Sequence, residues 1–351
     1  MDPVVESDAL RLVECTYGLD DVEQIMVTGA SGMLGSYAIE ILAQIGRIAG
    51  LSYPIYALSR NPSNYLLGLE REYPESVSIR RNTDIGNILR GGSNWLVIHS
   101  ASPASPDEYV GQERGLLDTN LAMTTTIGES IRDQQSHVVY MSSGEVYGPS
   151  PELPTTETSF SAYDHLSDRG VYPEVKRAGE VILKVLSNEI GFSSTCLRVY
   201  HTFGPGVSLN QSRIFSTVLK AMLLDRPIEL RTSGSARRSF LYSSDLMSAI
   251  LLCRSQSGFR ALNVSGAHEI SIRDFAQLGS AIAGGNCRVE FAVSEVLPNA
   301  TDASLPESPI MRGDADTGSL RSLGWKPEVS VSEALQRTLT SCIWRSSAGT
   351  L

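Results

Sequence analysis

The sequence predicts an α/β fold: a doubly wound parallel sheet of the Rossmann type with a smaller C-terminal substrate-binding domain. As far as Pro205, short apolar runs of strand length alternate with segments of helical pattern, which is typical of a parallel sheet with helices on both faces. The first run, residues 24–27, leads through a glycine-rich turn into a helical segment at residues 36–42. A strand, a glycine turn and a helix in that order favour dinucleotide binding. Beyond Gly206 the alternation gives way to longer loops and frequent prolines.

The individual elements follow from local composition. Apolar runs predict strands at residues 24–27, 54–58, 77–80, 95–99, 137–141 and 195–199. The fourth run is apolar throughout, which is typical of a strand buried on both faces of a sheet. Helical patterns predict helices around residues 115–132, 173–189 and 214–224. Before the first strand, the sequence fits either a short helix near residues 8–15, packed on the sheet edge, or a surface extension.

We predict two domains. The dinucleotide-binding domain covers residues 1–205 and includes a returning segment near residues 238–267, while the discontinuous substrate-binding domain covers residues 206–351. The smaller domain is expected to close over the carboxyl ends of the strands, because ligands bind at that edge in open α/β sheets.

Composition and charge narrow the class of protein. Hydrophobic residues make up 42% and charged residues 19% of the chain, as in ordinary globular proteins. A formal net charge of −10 argues against nucleic acid or an anionic membrane as a partner. The five cysteines include no CxxC pair and the five histidines show no metal-ligand spacing, so we expect a reducing compartment and no metal site. A cytoplasmic protein is expected, since the sequence shows neither an apolar run of membrane-spanning length nor a signal-peptide pattern.

The glycine-rich turn contains the first candidate binding residues. Gly29 permits the tight turn, Gly32 allows a pyrophosphate to approach the backbone, and Gly35 allows the helix to pack closely on the strand. The phosphates would lie on free N–H groups at the helix N-terminus. The same predicted cofactor-binding loop includes Ser31, Met33 and Leu34.

The end of the second predicted strand bears on the choice of dinucleotide. An acidic residue at this position usually holds the ribose 2′-hydroxyl of NAD, but the sequence has Ser59 and Arg60. Arginine pairs well with phosphate, so the pair favours NADP, although NAD remains open and Arg60 equally fits a solvated surface residue. Asp84, after the third strand, is a candidate acceptor for the adenine amino group or a loop cap. Ile85 beside it is assigned to the same cofactor contact.

Tyr172 and Lys176 form the candidate catalytic pair. They are four residues apart on a predicted helix, a spacing that places both side chains on one helix face. An ammonium group beside a phenol favours the phenolate, so the tyrosine can act as a base near neutral pH. Ser143 follows the fifth predicted strand at the edge where a nicotinamide would lie, and its hydroxyl can bond both a substrate oxygen and Tyr172. A surface helix pair and a turn serine are the alternative interpretations.

These motifs occur in the order and spacing of a known family. Over about residues 24–345 the sequence resembles the extended short-chain dehydrogenase/reductases, the nucleotide-sugar epimerases and dehydratases. Within that family it is most similar to the UDP-glucuronate decarboxylases. Further stretches carry the resemblance: residues 99–106 (HSASPASP), Asn120, Arg198, residues 203–205 (FGP) and residues 238–245 (RSFLYSSD).

The resemblance implies roles for the catalytic candidates. It implies Ser143, Tyr172 and Lys176 as the residues of hydride transfer. We also assign Lys176 to cofactor binding, where it would hold the ribose. It also implies that Glu145 and Arg238 lie near the sugar and its phosphates or carboxylate. For Glu145 a helix cap, and for Arg238 a solvated loop cation, is the alternative interpretation.

The resemblance also extends to the cofactor and to assembly. It implies that Ala101, Ser102 and Asn120 lie on the cofactor side of the site, and that Ser102 also faces the substrate. A homodimer is implied through the helices around residues 115–132 and 173–189.

Three positions depart from the family pattern. Position 144 is glycine, where the decarboxylases usually have serine and the 4,6-dehydratases aspartate, so elimination of water is not expected. His201 stands where the family commonly has an asparagine that touches the substrate, and we assign it to substrate binding. Ser59 and Arg60 replace the acidic strand end, which suits a net reductase that draws on NADPH better than an enzyme that recycles its own NAD.

The sequence thus predicts an enzyme that oxidises or reduces C4 of a nucleotide-linked sugar with NAD or NADP. With a uronic acid as substrate, the 4-keto product is a β-keto acid that readily loses carbon dioxide, and reduction then closes the cycle. An NADPH-dependent 4-keto-sugar reductase or a 4-epimerase is the alternative enzyme. A non-catalytic dinucleotide-binding scaffold is disfavoured, because the chain keeps both Tyr172 and Lys176.

Overall fold

The computed structural model describes residues 1–16, 18–103, 111, 113–148, 153–161, 164–167, 170–291 and 312–350. The strands are β1 (Gln24–Thr28), β2 (Ile55–Leu58), β3 (Val77–Arg80), β4 (Trp95–His99), β5 (His137–Ser143), β6 (Ser193–Val199), β7 (Thr202–Phe203), β8 (Ile228–Leu230), β9 (Arg237–Ser239), β10 (Leu241–Tyr242), β11 (Phe259–Val264), β12 (Glu269–Ser271), β13 (Val289–Phe291) and β14 (Arg312–Gly313). The helices are α1 (Pro3–Leu12), α2 (Met33–Ala49), α3 (Asn64–Glu72), α4 (Ile85–Arg90), α5 (Glu113–Leu117), α6 (Thr124–Ser130), α7 (Val171–Ile190), α8 (Ile214–Leu224), α9 (Ser243–Arg254), α10 (Ile272–Ile282), α11 (Gly318–Ser322) and α12 (Val331–Ser347).

A seven-stranded parallel sheet forms the centre of the molecule. Its strand order is β11-β6-β5-β4-β1-β2-β3, and every neighbouring pair is parallel. Every residue of β4 and β5 is buried, because helices cover both faces. The chain runs outward from β1 to β3 and then crosses back to β4, so the direction of winding reverses between β1 and β4. Ligands bind at such a switch point in doubly wound sheets, and the predicted fold class is confirmed.

The segment before β1 differs from both interpretations of the sequence. Helix α1 starts at Pro3, and the side chain of Asp2 accepts the Val4 N–H at its N-cap. The helix packs against α2 and α12 rather than on the sheet edge, and Val5 and Ala9 on its inner face are fully buried. It is therefore part of the hydrophobic core. Sequence pattern alone did not indicate this, because the covering helix α12 comes from the far end of the sequence.

The helix predicted around residues 115–132 is interrupted. Helices α5 and α6 are joined by a π-helical stretch, Asp118–Met123. Such stretches inside helices are frequent at functional sites.

Three smaller sheets are formed by strands that come after β6 in the described part of the chain. β7 pairs with β10, β9 lies between β12 and β14, and β8 pairs with β13. The second hydrophobic core beside them contains four stacked or edge-on aromatic rings: Phe203, Phe215, Phe240 and Phe275. The segment near residues 238–267, which the sequence assigned to the first domain, contains α9 and β11, and β11 belongs to the central sheet. The division into two domains stays a prediction. Within the described ranges, none of the helices combines the length and the apolar character needed to cross a membrane.

Candidate active site

The glycine turn between β1 and α2 is shaped by close backbone contacts. Gly29 has a φ of +68°, and a Cβ atom there would lie 2.8 Å from the Cα atom of Ala101. At Gly35 a Cβ atom would lie 2.3 Å from the Gly29 carbonyl oxygen. Gly32 is the N-cap of α2 without a side-chain cap bond, and its Cβ atom would meet nothing closer than 3.3 Å. Two glycines are thus needed by the turn itself, and the third leaves the helix N-terminus open to an anion.

A cleft of about 730 Å³, measured with its opening to solvent, lies beside this turn. It sits where the carboxyl ends of β1 and β4 meet, at the switch point of the sheet. The predicted cofactor residues that line it are Gly29, Ser31, Gly32, Ser59, Arg60, Ala101 and Ser102. Met33, Leu34 and Gly35 form the first turn of α2 next to it. The structure therefore brings most of the predicted cofactor residues to one opening.

Ser31 joins the glycine turn to the end of β2. Its hydroxyl donates to the Asn61 carbonyl at 3.0 Å and accepts the Ser63 N–H at 3.2 Å. The Ser59 hydroxyl lies 2.8 Å away, so Ser59 is the donor in that pair. Ser59 is buried, whereas Arg60 is exposed at the rim of the cleft. Arg60 is thus the member of the predicted pair that is oriented to meet an anion from solution.

At the end of β3 the cleft is lined by Asn82 rather than by the two predicted residues. Asp84 is half-buried at the N-cap position of α4, makes no side-chain cap bond there and accepts from the Thr83 hydroxyl at 3.2 Å. Ile85 is 1% exposed and packs in the core. The assignment of Asp84 and Ile85 to the cofactor stays a prediction. Asn82 and Thr119, which also lines the cleft, were missed because neither belongs to a recognisable motif.

His99 supports the floor of the cleft as a neutral ring. Its Nδ1 atom lies 2.7 Å from Thr28 Oγ1, and its Nε2 atom lies 3.0 Å from Thr124 Oγ1. Thr124 donates to the Asn120 carbonyl at 2.6 Å, so it accepts from Nε2–H, and Thr28 then donates to Nδ1. Burial lowers the His99 pKa to about 3. Because Thr28 also accepts the Ala101 N–H at 3.2 Å, this network fixes the loop after β4.

Asn120 lies in the π-helical stretch and is fully buried. Its Nδ2 group donates to Ser102 Oγ and to the Leu116 carbonyl, both at 3.0 Å. Its Oδ1 atom accepts the Tyr140 hydroxyl at 3.0 Å. With these bonds made inside the protein, Asn120 acts on the cleft by holding Ser102, which lines it.

Tyr172 and Lys176 lie on α7 with only 4% and 2% of their surface exposed. The ammonium nitrogen of Lys176 donates to the Met141 carbonyl at 2.8 Å. It lies 4.8 Å from the centre of the Tyr140 ring and 5.8 Å from the centre of the Tyr172 ring. Burial lowers the Lys176 pKa to about 7. The two side chains therefore face β5, and the alternative of a surface helix pair does not describe them.

Ser143 is the last residue of β5 and is 9% exposed. Its Oγ atom accepts the Glu145 N–H at 3.2 Å and so caps the short helical turn Gly144–Tyr147. Accepting this bond leaves the hydroxyl proton available to a substrate oxygen. Glu145 is half-buried in the same turn. The cap and the catalytic interpretations of Ser143 are thus compatible.

A buried ion pair supports α7. Arg198 on β6 pairs with Glu180 on α7 at 2.7 Å, and Ser142 donates to the same carboxylate at 2.5 Å. Glu180 lies one helical turn after Lys176, and Ser142 directly precedes Ser143. The ion pair therefore joins the helix and the strand that carry the catalytic candidates.

Arg238 and His201 lie together beyond the end of β6. Arg238 is 9% exposed and donates to the Arg237 carbonyl at 2.7 Å. A Cβ atom on Gly313 would lie 3.3 Å from Arg238 Cδ and 3.6 Å from His201 Cε1. Burial, together with the nearby cations of Arg238 and Arg213, lowers the His201 pKa to about 3. His201 is therefore neutral, and its buried Nδ1 atom has no hydrogen-bond partner within the described residues.

A sequence profile of the family described as the NAD dependent epimerase/dehydratase family matches residues 25–265. The chain belongs to this family. The match runs from β1 to the end of β11 and so includes the cleft, Ser143, Tyr172 and Lys176. As a member of this family, which is described as NAD dependent, the chain is an enzyme of the extended short-chain dehydrogenase/reductase type.

Relatives and solved structures of the same family resemble the chain over most of its length. UDP-glucuronic acid decarboxylase 1 of Danio rerio is 25% identical over 91% of this chain and 72% of its own. UDP-glucuronic acid decarboxylase 1 of Arabidopsis thaliana is 23% identical over 90% of this chain and 69% of its own. A UDP-N-acetylglucosamine 4-epimerase from Methanobrevibacter ruminantium matches with a TM-score of 0.77 and 20% identity, over 92% of this chain and 99% of its own. A UDP-glucuronic acid 4-epimerase from Bacillus cereus, in complex with UDP-glucuronic acid and NAD, gives 0.73 and 21% over the same shares.

The cleft fits the dinucleotide of the epimerase/dehydratase family. Asn82 lines it, and the Oδ1 atom of this residue is buried without a hydrogen-bond partner in the described part of the chain. An orphaned acceptor of this kind suits a ligand donor. The glycine turn keeps the N-terminus of α2 accessible to phosphate. In the quoted stretch at residues 99–106, positions 104–106 lie outside the described residues. No three His, Cys, Asp or Glu side chains gather into a metal-binding group in the ranges that the structure describes.

Proposed function

We propose that the protein is a nucleotide-sugar-modifying enzyme that acts by hydride transfer at sugar C4, with UDP-glucuronate as the favoured substrate and decarboxylation as the outcome. The observation that carries the proposal is the buried ammonium of Lys176. It lies against the Tyr172 ring and is tied to the strand that ends in Ser143. The decarboxylases among the relatives support the choice of substrate.

The chemistry assigns one role to each side chain. A nicotinamide bound in the cleft supplies the hydride acceptor. Tyr172 takes the proton of the C4 hydroxyl, and the nearby charge of Lys176 favours the phenolate that can do so. Ser143 donates its hydroxyl proton to the C4 oxygen and holds it in place. Oxidation at C4 would turn a uronic acid into a β-keto acid; the bond between C5 and its carboxylate would break with loss of carbon dioxide, and C5 would take up a proton. Return of the hydride to C4, with the proton given back by Tyr172 to the C4 oxygen, would restore the hydroxyl.

Four residues are proposed to hold the substrate. Arg238 is a buried cation whose pKa is lowered by burial, and its guanidinium can pair with an anionic group such as a diphosphate or carboxylate. His201 stays neutral and offers its unpartnered Nδ1 atom to a substrate hydroxyl or amide. Glu145 and Ser102 are proposed to contact the sugar from the turn after β5 and from the loop after β4.

The choice between NAD and NADP depends on Arg60. The family is NAD-dependent, yet the end of β2 presents an exposed arginine and no carboxylate. We infer that Arg60 meets the 2′-phosphate of NADP, with NAD as the alternative cofactor. The same arginine favours the second candidate function, an NADPH-dependent 4-keto-sugar reductase; a 4-epimerase would need only the recycling of bound cofactor.

A homodimer is proposed through α7 and the helices before it. Val181 and Val185 lie one turn apart on α7 and are 59% and 54% exposed. Leu117 at the end of α5 is 40% exposed. Sedimentation equilibrium is expected to give twice the mass of one chain, and a monomer in the micromolar range would contradict the dimer. The cytoplasmic location, expected from the absence of a signal-peptide pattern in the sequence, stays a prediction.

Product analysis with UDP-glucuronate tests the favoured reaction. The purified protein is incubated with UDP-glucuronate without added cofactor, and carbon dioxide and the nucleotide sugar are measured. Release of carbon dioxide supports the decarboxylase. Conversion to a C4 epimer without carbon dioxide supports the epimerase, and consumption of NADPH on a 4-keto sugar supports the reductase. Binding of cofactor with no turnover on any nucleotide sugar would leave only a dinucleotide-binding scaffold.

A further inference from the structure

The ring of Tyr200 occupies the space that a side chain at position 144 would need. Gly144 lies between Ser143 and Glu145 in the turn after β5. A Cβ atom on Gly144 would lie 2.7 Å from both the Cε2 and Cζ atoms of Tyr200 and 3.0 Å from Cδ2. Carbon atoms in favourable contact are about 3.5–4.0 Å apart. With the ring in place, no side chain can stand at position 144.

The backbone of Tyr200 is fixed by the sheet. Tyr200 directly follows β6, the strand that pairs with β5, and its N–H donates to the Val264 carbonyl at 3.1 Å. Its carbonyl accepts the Thr202 hydroxyl at 2.8 Å. Burial raises the pKa of the phenol, and the side chain of Thr155 lies beside it. Tyr200 as a residue is half-buried.

Thr155 is itself anchored, so it limits movement of the phenol. It is 3% exposed, its N–H donates to the Asp314 carbonyl at 3.2 Å, and its carbonyl accepts the Asp316 N–H at 2.9 Å. A side chain at position 144 would therefore have to displace a ring that is held at its backbone and confined at its hydroxyl end. The pair of a small residue at 144 and a large one at 200 is complementary in volume.

We propose that Tyr200 is a specificity-determining residue that replaces the side chain at position 144. This inference rests on the proposed function, because it concerns the sugar that Ser143 and Tyr172 hold. The ring forms an apolar wall next to Ser143, where a serine or an aspartate at position 144 would instead present a hydroxyl or a carboxylate. The wall limits the room beside the reacting C4 atom, and the site selects sugars whose substituents at the neighbouring C3 and C5 atoms are compact.

Two enlarged probes test this selectivity. The methyl ester of UDP-glucuronate is larger at C5, and UDP-N-acetylmuramic acid is larger at C3. For wild type and variants, we compare kcat/KM, or the inhibition constant where a probe does not react, with the value for UDP-glucuronate. In Tyr200→Ala the kcat/KM or the inhibition constant of at least one probe is expected to improve about 10–100-fold relative to UDP-glucuronate. A difference of one or a few carbon atoms in the space available to a substrate changes selectivity by about this much.

Two further variants separate pocket volume from other effects. Tyr200→Phe keeps the ring and removes the hydroxyl. The ratio of the value for each probe to the value for UDP-glucuronate is therefore expected to stay within about twofold of wild type, because the ring still fills the same volume. Adding Gly144→Ser to Tyr200→Ala refills the space from the other side, and the ratio is expected to return toward the wild-type value. A purely structural role would lower thermal stability without moving the ratio.

The outcomes distinguish this inference from the proposed function. A folded Tyr200→Ala protein with an unchanged ratio for both probes would overturn the inference and leave the function intact. Tyr200→Leu serves as the second open variant if the alanine protein does not fold, and failure of both to fold would show a structural role and overturn the inference. Inactivity of the wild-type protein with every nucleotide sugar would overturn the proposed function and this inference with it.

Discussion

The side chain of Lys176 is almost completely buried, so its ammonium group has little contact with solvent. Its ammonium nitrogen has one carbonyl partner, Met141, and two aromatic faces, those of Tyr140 and Tyr172. Burial alone disfavours the charged form, which is why the pKa falls to about 7 rather than lying in the usual range of a lysine. A group poised near neutral pH can influence a neighbouring phenol, and this is the property that the proposed chemistry uses.

Because of this shifted pKa, the stability of the folded protein should depend on pH. Between about pH 7 and the usual lysine value the unfolded chain binds a proton that the folded chain does not, so the Lys176 contribution to stability rises with pH in that window. Lys176→Met removes the contribution. We expect the melting temperature of wild type minus that of Lys176→Met to increase steadily from pH 7 to pH 10. Thermal melts in matched buffers measure it, and a difference that stays constant or falls would contradict the buried ammonium.

Arg60 gives a second prediction at a single residue. Arg60→Glu is expected to weaken NADP binding at least about tenfold, since it replaces a phosphate partner by a like charge, and to change NAD binding about twofold or less. Isothermal titration with each dinucleotide measures both constants. The matched control is Arg71→Glu, an exposed arginine near the end of α3 that does not line the cleft. Equal effects of Arg60→Glu on NAD and NADP would show that Arg60 does not read the 2′-phosphate.

Residues that belong to sequence motifs could be predicted from the sequence, whereas the residues that contact them from other parts of the chain could not. Gly29, Gly35 and Lys176 occur in patterns whose spacing alone indicates their chemistry. The orphaned acceptor of Asn82 and the pairing of Gly144 with Tyr200 depend on which turns the sheet brings together. Sequence spacing does not encode such contacts, because they arise from parallel strands that are distant along the chain.

At the scale of elements, α7 is the support of the site. Its exposed face carries apolar side chains, and its inner face carries Tyr172, Lys176 and Glu180. The carboxylate of Glu180 is shared by Arg198 and Ser142, so a single group sets the distance between α7, β5 and β6. The cost of removing both charges from water offsets much of their attraction, so the intact ion pair contributes more to the geometry than to net stability, whereas removal of one partner leaves a costly buried charge.

Glu180→Gln tests the support directly. The variant keeps the shape but removes the charge that compensates Arg198, so we expect a clear loss of thermal stability and a fall in kcat of about tenfold or more, with KM less affected because the substrate contacts remain. Glu174→Gln is the matched control on the same helix, since its ion pair with Arg177 is less buried, with 43% of the Glu174 side chain exposed. A kcat for Glu180→Gln equal to that of the control would show that the ion pair does not position α7.

The first six strands were predicted closely, whereas the helical region around residues 115–132 was not. The six predicted runs correspond to β1–β6, and the pattern is plainest at β4 and β5, where every residue is buried. The region around residues 115–132 has a continuous helical pattern, yet the chain there forms α5, a π-helical stretch and α6. The position of the interruption depends on the bonds of Asn120 to Ser102 and Tyr140, which local pattern cannot reveal.

At the scale of the whole molecule, α1 joins the first Rossmann helix to the last helix of the chain. Asp8 accepts the hydroxyls of Tyr37 and Tyr242, each at 2.9 Å, and pairs with Arg337 at 2.8 Å. Asp2 pairs with Arg345 at 2.9 Å. The helix thus bridges α2, which carries the glycine turn, and α12. No feature of the first residues alone predicts this role, since every partner is supplied by a later element.

Removal of the Asp8 carboxylate should weaken the whole fold. Asp8→Ala leaves two buried hydroxyls and the Nη1 group of Arg337 without their shared acceptor, so we expect a loss of about 3–5 kcal/mol in the free energy of unfolding. Glu6→Gln, an exposed change on the same helix, is expected to cost no more than about 0.5 kcal/mol. Urea denaturation followed by circular dichroism measures both. Equal stabilities for the two variants would contradict the bridging role of α1.

The central claim is that Tyr172 and Lys176 drive hydride transfer at C4 of a nucleotide sugar. The most direct measurement mixes the cofactor-loaded protein with UDP-glucuronate and follows the nicotinamide absorbance near 340 nm in a single turnover, for wild type and for Tyr172→Phe. We predict a transient absorbance in the wild type and a rate lowered by about 10²–10⁴-fold in the variant, because the general base is lost. Product formation by Tyr172→Phe at the wild-type rate, or wild-type turnover with no reduction of the nicotinamide, would contradict the account.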